Sequence, residues 1–328
     1  MAEKLRRALY YDNIDPKPDK ALRYYKEALL RAEDVGMDPW SDEVMGMRFR
    51  VTGLLERHGQ AALAAQILER IRKDCLNWVE REGEKHMEDG ERTRILGRTV
   101  AMGVKLGELY SGPYIKDGEA AEVALVSAVE TVLREKQRRE MEGVREGEGE
   151  WISDEEAGGS FEMLAHHYEN NGKYYLATPL FLHALTLCPP RSCHAVVLMN
   201  NVAMSLAQQR PPAEMVAPGQ QLPSASTLRK QAELWAGKAL ELGQGIQGGE
   251  RTDECDTACS VTLYNLGELA EMCGDLDRAY EQYERTKAFS KQKGFGEGVQ
   301  RAQDALERVD KKRKELGNGS GTDLKAYA

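Results

Sequence analysis

Residues 158–190 read GGSFEMLAHHYENNGKYYLATPLFLHALTLCPP, and their spacing decides the fold. Phe161, Leu164, Ala165 and Tyr168 stand where the first helix of a tetratricopeptide unit carries W, L, G and Y. After a turn at Gly172, Ala177, Phe181, Ala184 and Pro189 fall on the A, F, A and P positions of the second helix. Small residues are required where the two helices of a unit cross closely, and large ones fill the gap to the next unit. The stretch is one complete unit of about 34 residues in register.

The same frame recurs on both sides. Leu263, Leu266, Gly267 and Ala270, then Gly274, Ala279 and Tyr283, outline a unit over 260–294. Leu106-Gly107-Glu108-Leu109-Tyr110 marks another first helix, followed by a lengthened turn (SGPYIKDGE) and by Ala121, Leu125 and Ala128. Val51 and Leu55 lead through Gly59 to Ala64, Leu68 and Ile71, and Leu5–Tyr11 leads to Ala21, Tyr25 and Ala28. Cys193–Gln209 pairs with Thr227–Leu242, where Ala232, Ala236 and Ala239 are in frame. The pattern predicts an all-α tetratricopeptide-repeat (TPR) solenoid of about six helical pairs. Val299, Ala302, Leu306 and Val309 predict a capping helix over 296–316. One repeat domain is therefore expected over 1–316. It carries a charged extension at 77–92, an acidic insertion at about 134–157 that prolongs a helix into a loop, and a flexible Pro-rich loop at 210–226. A disordered tail follows at 317–328.

Composition narrows the function. The chain has 328 residues and a net charge of −9, with 41% hydrophobic and 30% charged residues. An acidic balance argues against nucleic acid as the main ligand and against a polybasic membrane-surface binder. The longest uncharged stretches, 174–190 and 193–209, are interrupted by Pro179 and His183 and by Asn200, Asn201, Gln208 and Gln209, and neither matches a spanning helix. The opening MAEKLRRALYYDN lacks the apolar core of a signal peptide. Six cysteines are too few for a disulfide scaffold, and Cys188 and Cys193-His194 have no second ligand pair nearby for zinc. Cys255 and Cys259, four apart on one helix face, read as two small packing residues, with a disulfide in an oxidising compartment as the alternative. There is no G-x-S-x-G, H-E-x-x-H or phosphate-loop motif. Gly243–Gly248 spells G-x-G-x-x-G but follows a helix rather than a strand. No enzyme, cofactor or metal is expected.

In a TPR superhelix the first helix of each pair lines the concave face. Counting from the frame places Phe49, Arg50, Val104, Lys105 and Glu108 there in the earlier repeats. In the later repeats it places Glu162, His166, Asn170, Asn200, Asn201, Met204, Tyr264, Asn265 and Glu268. The residues expected to bind peptide are Lys105, His166, Asn170, Asn200, Asn201, Met204, Tyr264, Asn265 and Glu268. Asn201 and Asn265 occupy equivalent positions, where an amide either clamps the backbone of an extended peptide or bonds a neighbouring turn; both readings stand. No basic residue precedes Asn201 in its helix, which argues against a clamp for terminal carboxylates.

The chain resembles a fungal family, the TPR adaptor subunit of the mitochondrial inner-membrane i-AAA protease complex. The resemblance is carried by YYKEALLRAEDVGMDPWSDEV (24–44), RTRILGRTVAMGVKLGELY (92–110) and AVETVLREKQRREMEGVREGEGEW (128–151). It continues through 162–209 and ERTDECDTACSVTLYNLGELAEMCGD (250–275), nearly the whole length. What it implies is a non-proteolytic domain facing the intermembrane space. Such a domain binds the protease, its partner membrane adaptor and unfolded substrate proteins. The family's N-terminal transmembrane anchor has no counterpart in this sequence, so the chain is expected to correspond to the soluble domain. Two competing expectations are an architectural scaffold that docks the protease or partner adaptor, and a general cytosolic TPR cargo or chaperone scaffold.

Overall fold

The computed structural model describes residues 1–211 and 222–319. Most of the Pro-rich loop expected at 210–226, and the expected tail from residue 320 on, lie outside the described residues. Among the described residues there are 13 α-helices and no strand. The chain is an all-α TPR solenoid, in the order the repeat frame predicts. The pairs are α1 (Ala2–Asn13) with α2 (Pro18–Asp34), α3 (Asp42–Arg57) with α4 (Ala61–Glu82), and α5 (Glu91–Ser111) with α6 (Gly118–Glu142). They continue as α7 (Asp154–Asn170) with α8 (Tyr174–Leu187), α9 (Cys193–Gln208) with α10 (Ala225–Gly245), and α11 (Asp253–Met272) with α12 (Leu276–Lys293). The last helix, α13 (Gly296–Gly319), follows α12. No helix among the described residues is long and apolar enough to cross a membrane.

Helix boundaries follow local chemistry. Ser41, Asp117, Ser192, Ser224 and Asp275 cap α3, α6, α9, α10 and α12 by accepting a backbone N–H three residues on. The turn inside a pair is the same structure three times. Gly59, Gly172 and Gly274 adopt φ of 75°, 70° and 82°, a left-handed conformation that glycine enters at no steric cost. The residue after each donates back to the first helix: Gln60 N to Leu55 O, Lys173 N to Tyr168 O and Asp275 N to Ala270 O, at 2.8, 2.8 and 3.0 Å. In the lengthened third turn Lys116 takes the left-handed position instead, at φ 56°.

The chain divides into two compact units, Met1–Leu164 and Ala165–Ala328, with the division inside α7. In the first unit each helix from α1 to α6 packs on the next. Its core joins Leu55, Ala64, Leu68 and Ile71 to Ile95, Met102 and Leu106. Gly107 sits at the closest crossing: a Cβ there would lie 2.4 Å from the Leu125 side chain. In the second unit α8 packs on α9, α9 on α10 and α11, and α11 on α12 and α13. Gly267, the repeat equivalent of Gly107, lies against the Tyr283 ring, where a Cβ would approach to 2.6 Å.

The acidic insertion first prolongs α6, and the loop that follows is folded back on the protein. α6 runs to Glu142, and the following segment turns back so that Gly147, at φ 81°, lies against the carbonyl of Glu88. Glu148 is 1% exposed, ion-paired with Arg138, and accepts the backbone N–H of Arg145 at 2.9 Å. Buried Glu135 accepts from Arg92, Arg138 and Arg139 at 2.9, 2.6 and 3.1 Å. Despite burial, which opposes charge, these guanidinium groups hold the Glu135 carboxyl below the usual carboxylate range.

The cysteine expectation is corrected. Cys255 is bonded to Cys193, not to Cys259, with an S–S distance of 2.12 Å across 62 residues, and Cys259 is free and buried. Residues four apart on one helix hold their Cβ atoms about 5–6 Å apart, beyond the ~3.5–4.5 Å that a disulfide spans. The adjacent starts of α9 and α11 bring the Cα atoms of Cys193 and Cys255 to 4.6 Å.

Candidate functional site

The expected groove residues divide between the units. In the first, Lys105 on α5 donates to Glu56 of α3 at 2.9 Å and to Glu108 at 3.0 Å. Burial opposes its charge, yet the two carboxylates hold the ammonium above its ordinary range. With Phe49, Thr52, Gly53, Met102 and Leu109 it lines a cleft of about 270 Å³. Its charge is spent on its own neighbours.

The other expected residues lie in the second unit. His166 Nδ1 is 3.1 Å from Glu169 Oε2, and its ring meets Phe181 edge-on at 5.0 Å. Asn170 is exposed. The amides on α9 and α11 behave differently from one another: Asn265 Nδ2 donates to Asn200 Oδ1 at 3.0 Å, whereas Asn201 is half-buried. The equivalence of Asn201 and Asn265 in the repeat thus does not carry over into an equivalent surface. Met204 is half-buried against the Ala203, Ala207, Ala232 and Ala236 cluster.

Two clefts meet on α11. The larger, about 590 Å³, is walled by Val261, Tyr264, Asn265 and Glu268 of α11 and by Phe295, Gly298 and Arg301 at the start of α13. The smaller, about 330 Å³, holds Met204 and Gln208 of α9, Glu268, Glu271 and Met272 of α11, and Arg308 and Lys312 of α13. Glu268 belongs to both. Met204, Tyr264, Asn265 and Glu268 are therefore brought together on one surface.

The packing of α13 fixes one side of these clefts. Glu271 accepts from Arg308 Nη2 at 2.8 Å, Lys312 Nζ at 2.7 Å and Tyr283 Oη at 3.0 Å. The Arg308 bond, working against partial burial and aided by Lys312 and Tyr283, holds the Glu271 carboxyl down at about 2. Repeat counting did not find this cluster, although Arg308 and Lys312 stand one helical turn apart on α13.

Sequence counting also missed a large cleft of the first unit. About 600 Å³ in volume, it is floored by α3 and walled by Leu22, Leu29 and Leu30 of α2 and by Leu63 and Ile67 of α4. These are second helices of their pairs. One trio of possible metal donors occurs among the described residues, His86, Asp89 and Glu91. Asp89 there is engaged in bonding His86 and in accepting the Glu91 backbone N–H that opens α5.

No protein-family model matches the chain. A tetratricopeptide repeat-containing protein of Schizosaccharomyces pombe is 27% identical over 318 residues, which cover 95% of this chain and 78% of that protein. Among solved structures, BtubC (BKLC) from P. vanneervenii superposes with a TM-score of 0.52 at 14% identity, covering 84% of this chain and 92% of that one. A Podosopora anserina protein with nearly identical TPR-like repeats gives 0.50 at 13% identity, covering 79% and 99%. The fold is that of a TPR repeat protein, an architecture that typically serves as a non-enzymatic scaffold for protein–protein interaction.

Proposed function

We propose that this chain is a non-enzymatic adaptor that captures unfolded segments of other proteins on its concave surface and recruits them to the mitochondrial i-AAA protease. On this reading the domain works in the intermembrane space at the inner membrane, beside the protease and its partner membrane adaptor. The observation that carries the capture step is the pair of clefts joined at Glu268, where an apolar wall (Val261, Tyr264, Met204) lies beside polar groups. An extended segment needs that combination, apolar contact for side chains with hydrogen-bonding groups at intervals. The family resemblance supports the destination; the fungal relative supports the TPR architecture.

Crosslinking of a chemically unfolded probe protein to the purified chain tests the capture step. Val261→Trp, which narrows the larger cleft, and Met204→Ala, which removes an apolar wall of the smaller, are expected to reduce capture several-fold; unchanged capture in both sinks the assignment. Adding purified i-AAA protease tests recruitment. The chain is expected to accelerate degradation of the same probe, and no acceleration removes that part of the reading.

The apolar cleft on α2 and α4 favours a second, architectural role, since it offers a docking surface on the second helices of the pairs rather than on the first. Leu63→Glu is expected to weaken binding to the protease or partner adaptor without affecting capture of the probe. The reverse pattern excludes this role.

A further inference from the structure

We infer that the cleft around Glu268 receives a Lys or Arg side chain carried by an extended segment of the captured protein. The inference rests on the groove reading proposed above and adds a charge preference to it.

Glu268 differs from the other carboxylates around it. Arg308 and Lys312 are committed to Glu271 at 2.8 and 2.7 Å, and Arg301 faces Glu297 at 3.5 Å. Among the described residues Glu268 itself forms neither ion pair nor hydrogen bond. It is half-buried between two clefts. Burial, assisted by the nearby Glu271 charge and opposed by Arg308 and Arg301, raises its carboxyl above the ordinary range. A partly desolvated carboxylate without a counter-ion gains from an incoming cation more than a solvated one does.

The surroundings fit a long cationic side chain. Val261, Tyr264 and Phe295 give apolar and aromatic surface for the methylene stem, and an aromatic face attracts the charged head. Three neighbouring polar groups of this wall are engaged internally, and the wall's other carboxylate, Glu297, faces Arg301. Asn265 bonds Asn200, Ser260 bonds Ser290 at 2.7 Å, and Thr286 donates to the Gln282 carbonyl. Charge, rather than a pattern of amides, is what this wall offers a ligand. In the first unit the equivalent opportunity is closed, because Lys105 already compensates Glu56 and Glu108.

The test is fluorescence anisotropy on the full chain. The probe is a short unstructured Gly/Ser/Leu peptide bearing one central Arg, compared with the same peptide bearing citrulline, its neutral isostere. The Arg peptide is expected to bind about 10-fold tighter, as for a charge-assisted hydrogen bond. Glu268→Gln is expected to erase the difference by bringing the Arg peptide's affinity down to that of the citrulline peptide measured on the same variant, and Glu268→Asp to retain part of it. Equal binding of the two peptides, or a preference that survives Glu268→Gln, overturns the inference. If equal binding is nevertheless weakened by Val261→Trp, the groove reading stands and only the charge preference falls. If neither peptide binds, or Val261→Trp changes nothing, both fall.

Discussion

Asn265 donates its side-chain amide to the side-chain carbonyl of Asn200 at 3.0 Å, joining α11 to α9 across their interface. The residues are 9% and 5% exposed, so neither amide is exchanging partners freely with water. Asn265→Ala leaves the Asn200 carbonyl without this donor and is expected to destabilise the second unit by about 1–3 kcal/mol. Asn201→Ala, at the half-buried equivalent position, is expected to stay within about 0.5 kcal/mol of the native protein. Urea unfolding of the two variants checks the contrast; equal losses would mean that the buried pair has no special role.

Gly267 offers a packing test. Its Cβ would stand 2.6 Å from the Tyr283 ring, which is itself fully buried. Gly267→Ala must displace that ring, and a loss of about 1–3 kcal/mol is expected from overpacking. Gly237, where an added Cβ would meet nothing within 4 Å, is the control: Gly237→Ala on α10 is expected to stabilise by up to about 1 kcal/mol through helix propensity.

Removing the Cys193–Cys255 bond frees the unfolded chain. With a sequence separation of 62 between the two cysteines, loop-closure entropy predicts a loss of about 4 kcal/mol on Cys193→Ser. Reductant is expected to lower the Tm of the native protein and to leave Cys193→Ser unmoved. A thiol count that finds six free thiols before reduction would refute the bond.

Acid is expected to loosen α13 first through Glu271. Its folded value, about 2, lies below the ordinary 4.5. Its contribution is therefore fully present above about pH 4.5 and is lost as pH falls towards 2. Hydrogen exchange across residues 296–315 is expected to be flat from neutral pH to about pH 5 after correction for intrinsic rates, and protection is expected to fall below that. Glu271→Gln is expected to remove the slope; a slope that persists assigns it to other carboxylates.

The repeat was legible because close helix crossings demand small residues at fixed spacing. Ala177 and Ala184 are 0% and 1% exposed, as their frame positions require, and Phe181 fills the core beside them. Gly267 and Tyr283, sixteen positions apart in the frame, meet as a small-large pair for the same reason. What repeat spacing does not encode is which polar groups find each other across neighbouring helices. Asn201 and Asn265 share a frame position, yet Asn265 turns to Asn200, one residue earlier on α9. Cys193 and Cys255 are brought together by the lateral packing of α9 on α11, which no local pattern in either helix announces. Glu148, in a stretch whose Gly and Glu content reads as solvated, is buried because Arg138 and Arg139 on α6 supply counter-charges that its own neighbours in sequence do not reveal. At the candidate site the frame located Met204, Tyr264, Asn265 and Glu268 on a common surface. The wall contributed by Phe295 and Arg301 depends on how α13 returns to α11.

The disulfide and the amide pair together have a mechanical consequence. Cys193–Cys255 fastens α9 to α11 near their first turns, and Asn200–Asn265 fastens them again two to three turns along. Two fastenings resist sliding of the helices past one another, and beyond them the later turns are held by the packing of Leu269 with Ala203 and Ala207. Met204 and Glu268 stand one turn beyond the second fastening. The groove thus has a doubly anchored heel, and Glu268 stands one turn away from it.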